Sequence, residues 1–377
     1  MSVRILATGD FQLGKLFGGY GDDSVRLRDQ LLDSVTDLLE NHAKKYDLCL
    51  IAGDVFDRIE TPTSLIERFA DVLARCSAEV VLIPGNHDPV NSGIPRVLAN
   101  ALEKRGARHV RVGLERNPIR LDGLGITVYP APLLRKDDLS DLYGWIPSRS
   151  DEDGIRIGLF HGALSTMPDG SIPENLAEES DLDLVVVGDQ HGPSGNGESE
   201  SKLFDLDISK ARGLYYAGAP EPQNIKQNWI GSYLSLEVSS DGAIESAERV
   251  EIGKMAFVNE QIGISESDPV KEIKDRLEHV MGRDPQLTVI RLSLTGKISL
   301  DSNLEVESYI EELSTRFPML EVVNGYEIAQ QDEAPSVVLS DPAIDRIFNE
   351  IDTASDRDPV KRRARELLSL NVTRWTV

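Results

Sequence analysis

Short, nearly unbroken apolar runs at residues 3–8, 48–52, 80–83, 155–160 and 182–187 punctuate the first half of the chain. Runs of this length without polar alternation predict strands covered on both faces. Between the early ones the period changes. Residues 26–41 place Leu27, Leu31, Leu32, Val35, Leu38 and Leu39 at helical spacing, and residues 63–75 do the same with Leu65, Phe69, Val72 and Leu73. Strand and helix in alternation predict an α/β fold with crossover helices on a layered sheet.

The pattern shifts at Ser239-Ser240-Asp241-Gly242, a turn signal after the apolar run 233–238. A second unit is expected from Ala243, with extended residues 250–264, an amphipathic helix at 270–281, a strand at 287–295, a helix at 304–317 and a strand at 320–328. That order predicts a small α+β module at 243–330, after a first domain at 1–240. Residues 336–377 are expected to hold two short helices, 342–352 and 359–368. Ile344, Ile347, Phe348 and Ile351 share an apolar face on the first, and Lys361-Arg362-Arg363 precede Leu367 and Leu368 on the second.

Polar residues suited to divalent cations follow the apolar runs as Asp10-Phe11-Gln12, Gly53-Asp54-Val55-Phe56-Asp57, Gly85-Asn86-His87-Asp88, His161-Gly162 and Gly188-Asp189-Gln190-His191. In open α/β sheets the crevice beyond the carboxyl ends of the strands is where ligands bind, so these motifs are expected to converge. Two cations about 3.5–4 Å apart can hold the attacking and leaving oxygens of a phosphoryl displacement. Asp54, in a tight turn after a buried strand, suits the bridge between them. Asp10, Gln12 and His191 would complete one position, and Asn86, His161 and Asp189 the other. Oxygen and imidazole donors favour Mn²⁺, Mg²⁺, Fe or Zn²⁺. Taken singly, G-D-x-x-D also reads as an acidic turn after a strand, G-N-H-D as a polar turn and His161 as a strand-end histidine; their joint order is what carries the chemistry. His42, His109 and His279 have no partner motif and receive no role.

The series D-x-[HQ], G-D-x-x-D, G-N-H-D, H-G and G-x-x-H resembles the calcineurin-like metallophosphoesterase superfamily. Within it the chain is most similar to the DNA-repair exonuclease branch of SbcD-type nuclease subunits, through the 53–57 motif, His161-Gly162 and Tyr216-Ala217-Gly218-Ala219-Pro220-Glu221-Pro222. The similarity spans roughly residues 3–230. It implies a layered β-sandwich core flanked by helices, two divalent ions with Mn²⁺ favoured and Mg²⁺ an alternative, and attack by metal-activated water. It further implies that His87, not itself a ligand, stabilises or protonates the leaving oxygen, while Asp57 and Asp88 orient the loop and the ligands. The α+β module would cap the site and steer DNA to it, and the C-terminal helices would bind the coiled-coil root of an SMC-like ATPase. The implied activity is that of a DNA exo/endonuclease acting on ends in double-strand-break repair, as a homodimer. The alternatives are a catalytically weakened DNA-end-binding scaffold and a phosphodiesterase or phosphatase for a small phosphate ester.

Two positions depart from the family pattern. Gln12 stands where histidine is usual, and Asp189 replaces the first histidine of G-H-x-H. With Asp10, Asp54 and Asp189 ionised, two divalent ions would leave a net charge of about +1 instead of about +2, weakening their pull on a phosphate.

Composition adjusts this picture. The 377 residues suffice for more than one domain, and their net charge of −24 disfavours a broad DNA-gripping surface. Lys15, Arg26, Arg28 and Arg58 are the basic residues that could line a local path to the site. Cys49 and Cys76 read as reduced core residues. No apolar run approaches the ~20 residues of a membrane span, and the N-terminus enters a strand at once, so a cytoplasmic location without membrane partners is expected. No G-x-x-x-x-G-K-[ST] loop is present, so any ATP dependence must come from another chain.

Overall fold

A computed structural model describes residues 2–138, 140–150, 153–165, 171–191 and 213–329, together with Arg346, Ile347, Glu350, Ile351, Thr353 and Lys361. Residues 1–327 make one compact unit and 328–377 a second. The two helices expected at 342–352 and 359–368 lie outside the described residues but for Arg346, Ile347, Glu350 and Ile351 of the first and Lys361 of the second.

The first unit begins β1 (Ser2–Thr8), α1 (Asp23–Asp37), β2 (Leu48–Ala52), α2 (Thr63–Arg75), β3 (Glu79–Ile83), α3 (Ile94–Lys104) and β4 (Val110–Val112). It continues through β5 (Ile119–Leu121), β6 (Ile126–Ala131), β7 (Ile155–His161), α4 (Leu176–Glu179), β8 (Leu184–Gly188) and β9 (Gly213–Tyr216), then β10 (Ser232–Ser239) and β11 (Ile244–Glu251). One sheet has the order β11-β10-β1-β2-β3-β4 and a second β5-β6-β7-β8-β9. β1 to β4 run parallel, as do β6 to β9.

The sheets pack face to face as a sandwich, which explains the unbroken apolar runs. Ile5, Ala7, Leu48, Leu50 and Ala52 point between the sheets to meet Ile157, Leu159, Leu184 and Val186 of the other sheet. Their neighbours Leu6, Cys49 and Ile51 point the opposite way, under Leu31, Val35, Phe69 and Leu73 of α1 and α2. Strand residues of both parities are therefore buried, and alternation disappears. The outer face of the second sheet, with Phe160, Val185 and Val187, is covered by Leu176 and Ala177 of α4. Both cysteines are buried and unpaired.

The turn at Ser239–Gly242 corrects the boundary expected there. β10 and β11 pair antiparallel, Leu236 opposite Ala247, and both belong to the first sheet. The segment closes a hairpin, and the first sheet runs on to Glu251. A Ser-Asp-Gly turn has the same local chemistry whether it joins paired strands or separate units; only the pairing distinguishes them.

A three-stranded sheet follows, built from β12 (Ala256–Ile264), α5 (Pro269–Leu277), β13 (Thr288–Ile298), α6 (Leu300–Arg316) and β14 (Met319–Ile328), with β13 central. Its helices enclose a core of their own around Ile273, Leu277, Leu292, Val306 and Leu313. Asp268 caps α5 by accepting from the Lys271 N–H, and Ser299 caps α6 by accepting from that of Ser302. Phe257 of β12 stacks on Phe17, with 6.3 Å between ring centroids. No helix among the described residues is long and apolar enough to cross a membrane.

Candidate metal centre

The five motifs lie at the carboxyl ends of β1, β2, β3, β7 and β8. At four of the residues expected to bind metal, the backbone is left-handed although none is glycine: Asp10 (φ 51°), Gln12 (45°), Asp54 (52°) and Asp189 (89°). Each such residue costs on the order of 1–3 kcal/mol and persists only where its surroundings over-determine it. Here a backbone ladder does so. The Asp10 N–H donates to the Gly53 carbonyl at 3.0 Å, and the Gln12 N–H donates to that of Asp54 at 2.9 Å. Close approach explains two glycines. A Cβ on Gly53 would lie 2.4 Å from His161 Nδ1, and one on Gly85 would lie 2.1 Å from Asp54 Oδ1.

His161 is the meeting point. Its Nδ1–H donates to the Ala52 carbonyl at 2.7 Å, which leaves the Nε2 lone pair facing the centre. Around Nε2 stand Asn86 Oδ1 at 3.1 Å, Asp54 Oδ1 at 3.5 Å and Asp189 Oδ1 at 3.9 Å. Lone pairs directed at one small buried space repel unless a proton or a cation sits among them. Burial alone would lower the basicity of His161, yet Asp54, Asp10 and Asp189 carry its pKa up to about 9. The Asp10 carboxyl is pushed well above the usual range by burial, with Asp54 and Asp189 adding to it. These donors fit a hard or borderline divalent ion, which would relieve the repulsion the protein otherwise meets with protons. Among the described residues, Asp10, Asp54 and His161 each bring a ligand atom within 4.8 Å of the others.

The Gln12 side is arranged differently. Gln12 Oε1 accepts from the Lys15 ammonium at 2.9 Å, and Lys15 also pairs with Asp57 Oδ1 at 3.1 Å. Gln12 Nε2 lies 3.2 Å from His191 Nε2, which is itself 4.0 Å from Asp10 Oδ1. Burial holds His191 down to about 4, and Lys15 and His161 act in the same direction. The ring is therefore neutral, and one of its nitrogens is an acceptor.

His87 stands at the edge of the group, its side chain 37% exposed. Its Nδ1 meets the Asp57 carbonyl at 2.7 Å and Nε2 lies 3.9 Å from Asp54 Oδ2. Asp88 is buried and accepts the Gly85 and Phe56 N–H groups at 2.8 and 3.0 Å, tying the loop after β3 to the loop after β2. Every residue expected at the site is thus drawn into one region. Sequence reasoning missed Gln223, whose Nε2 donates to the Asp10 carbonyl at 2.5 Å, and Gln227, whose Nε2 lies 3.1 Å from His191 Nδ1. They follow the Pro220-Glu221-Pro222 segment, and nothing in their local pattern marks them.

A family model described as calcineurin-like phosphoesterase matches residues 3–193. The D subunits of nuclease SbcCD from Escherichia coli K12 and from Escherichia coli O157:H7 are each 30% identical over 287 residues, covering 66% of this chain and 68% of theirs. Among solved structures, TT1561 of Thermus thermophilus aligns over 67% of this chain and 99% of its own, with a TM-score of 0.41 and 14% identity, a likeness too loose to carry an argument.

Proposed function

The chain belongs to the calcineurin-like phosphoesterase family and acts on phosphoester bonds, and from that premise we propose that it is a Mn²⁺-dependent DNA exo/endonuclease of the SbcD type. The observation that carries this is the set of three oxygens facing His161 Nε2, at 3.1–3.9 Å, in a chain 30% identical to nuclease subunits. Asn86, His161 and Asp189 would hold one divalent ion, Asp10, Gln12 and His191 a second, and Asp54 would bridge them. Mg²⁺ suits the same oxygens. Bound there, the ions would supply Lewis acidity toward the phosphate and lower the pKa of water.

The protein's own groups do the rest. His87, with Nδ1 held by the Asp57 carbonyl, presents Nε2 to the leaving oxygen and donates the proton it needs. Asp57 positions His87 and Lys15, and Asp88 holds the Gly85-Asn86 turn so that the Asn86 oxygen stays aimed at the centre. The substrate would be DNA ends. The chain would serve as the nuclease half of a cytoplasmic complex, dimeric, with an SMC-like coiled-coil ATPase bound by residues 336–377 and the module after Glu251 steering DNA. The hydrogen bond from Lys15 to Gln12 favours one second reading, an end-binding scaffold with weakened turnover.

The test is cleavage of linear single- and double-stranded DNA with Mn²⁺, Mg²⁺ or chelator, with His87→Ala run beside the wild type. Mn²⁺-dependent cleavage is expected, reduced about 10²-fold or more in His87→Ala while Mn²⁺ binding is retained. Intact DNA under every condition would overturn the nuclease and leave the scaffold, or, if an aryl phosphodiester is hydrolysed, a small-ester phosphodiesterase.

A further inference from the structure

The Gln12 side of the centre holds a cation of its own. Gln12, Leu13, Gly14 and Lys15 form a tight turn, with the Lys15 N–H donating to the Gln12 carbonyl at 3.1 Å and Gly14 in the left-handed region (φ 88°). This folds the lysine side chain back over Gln12, where Asp57 fixes the ammonium from the other side at 3.1 Å. A carboxamide has one acceptor end and one donor end. With Oε1 taken by Lys15, the amide nitrogen is turned toward His191 Nε2, 3.2 Å away. Of the donors expected on this side, Asp10, Gln12 and His191, the Gln12 oxygen is therefore already engaged, and the Gln12 amide nitrogen stands in front of the His191 nitrogen.

The engagement continues around the site. Gln227 Nε2 meets the far nitrogen of His191 at 3.1 Å, Gln227 Oε1 accepts the Gln223 N–H at 2.6 Å, and Gln223 Nε2 donates to the Asp10 carbonyl at 2.5 Å. Lysine, three carboxamides and an imidazole so make one chain of contacts from Asp57 to Asp10. On the His161 side three oxygens face one nitrogen, the nearest of them, Asn86 Oδ1, at hydrogen-bond distance.

We propose that Lys15 is a built-in competitor for the second metal, so that the resting protein binds one divalent ion tightly beside His161 and a second weakly, only as Lys15 leaves Gln12. The inference rests on the metal-dependent function proposed above and assigns Lys15 as the residue that sets metal stoichiometry. An incoming phosphate offers Lys15 another partner, so substrate and second ion would enter together.

Stripped full-length protein titrated with Mn²⁺ alone, by calorimetry and native mass spectrometry, tests this without any turnover. The wild type should bind one equivalent tightly and a second at least about tenfold more weakly. Lys15→Met removes the charge and frees the Gln12 oxygen; the second equivalent should tighten about tenfold, a gain that like-charge repulsion supplies even under the screening of bulk water. Lys15→Arg, which keeps the charge, should behave as wild type. Two equally tight ions in the wild type, or a Lys15→Met isotherm superimposable on it, would overturn the proposal. Lys15→Met that binds neither ion while Lys15→Arg binds as wild type would also overturn it, since Lys15 would then support the centre. Failure of the wild type and both variants alike to bind Mn²⁺ would instead remove the metal-dependent function itself, and DNA cleavage is scored separately.

Discussion

Gly85→Ala is the sharpest probe of the centre, because it separates packing from backbone preference. Gly85 does not occupy the left-handed region, so alanine is allowed there by the backbone. At an open position the change would stabilise by about 0.4–1 kcal/mol through the unfolded chain. The new Cβ, however, would stand 2.1 Å from Asp54 Oδ1 and 2.6 Å from the Asp54 nitrogen. A Cβ needs roughly 3 Å at the least, so Asp54 must retreat by about 1 Å. Asp54 cannot swing away freely: it is buried, its backbone is left-handed, and its Oδ1 accepts the His87 N–H at 2.9 Å. Overpacking of this kind costs about 1–3 kcal/mol, and a displacement near 1 Å in a positioning group costs about 10²-fold in rate. Thermal unfolding and Mn²⁺ titration of Gly85→Ala should show a Tm lowered by about 3–10 °C and a weakened tight site. Gly263→Ala, where a Cβ meets nothing within 4 Å, is the control and should lose neither. A Gly85→Ala protein with wild-type Tm and Mn²⁺ affinity would refute the close approach of the two loops.

Two further outcomes follow from buried groups away from the metal donors. Burial lifts the Glu221 carboxyl to about 7, against hydrogen bonds from Ser34 and the Lys254 and Met255 N–H groups. A folded pKa above the unfolded value means that this contribution to stability is complete below about pH 4.5 and lost as pH rises through 7. Denaturant midpoints should therefore show a downward component between about pH 4.5 and 7, worth up to about 3 kcal/mol, that Glu221→Gln lacks; parallel pH profiles would refute it. Phe17 is buried at the seam between the metal-site loop and β12, stacked on Phe257. Phe17→Ala should cost about 3 kcal/mol in urea unfolding; a loss below about 1 kcal/mol would place that seam outside the core.

Much of this was legible in the chain. The apolar runs became β1, β2, β3, β7 and β8, and the helical spacing at 63–75 became α2 with the same ends. Residues 26–41 span α1 and a wider turn that carries it to His42. Where reading failed, a local signal had two meanings. Ser239–Gly242 marks a turn equally well inside a sheet and between units, and the partner of β10 decides which.

The sequence by itself determined the strands, the crossover helices and the order of polar groups at the strand ends, because burial period and turn chemistry act over a few residues. Tertiary structure alone decided how those groups meet. Gln12 and His191 are 179 positions apart, yet a 3.2 Å contact and a lysine three residues from Gln12 set what each can bind. A hydrogen bond depends on distance and direction to within tenths of an ångström, and such geometry arises only when two sheets close on each other.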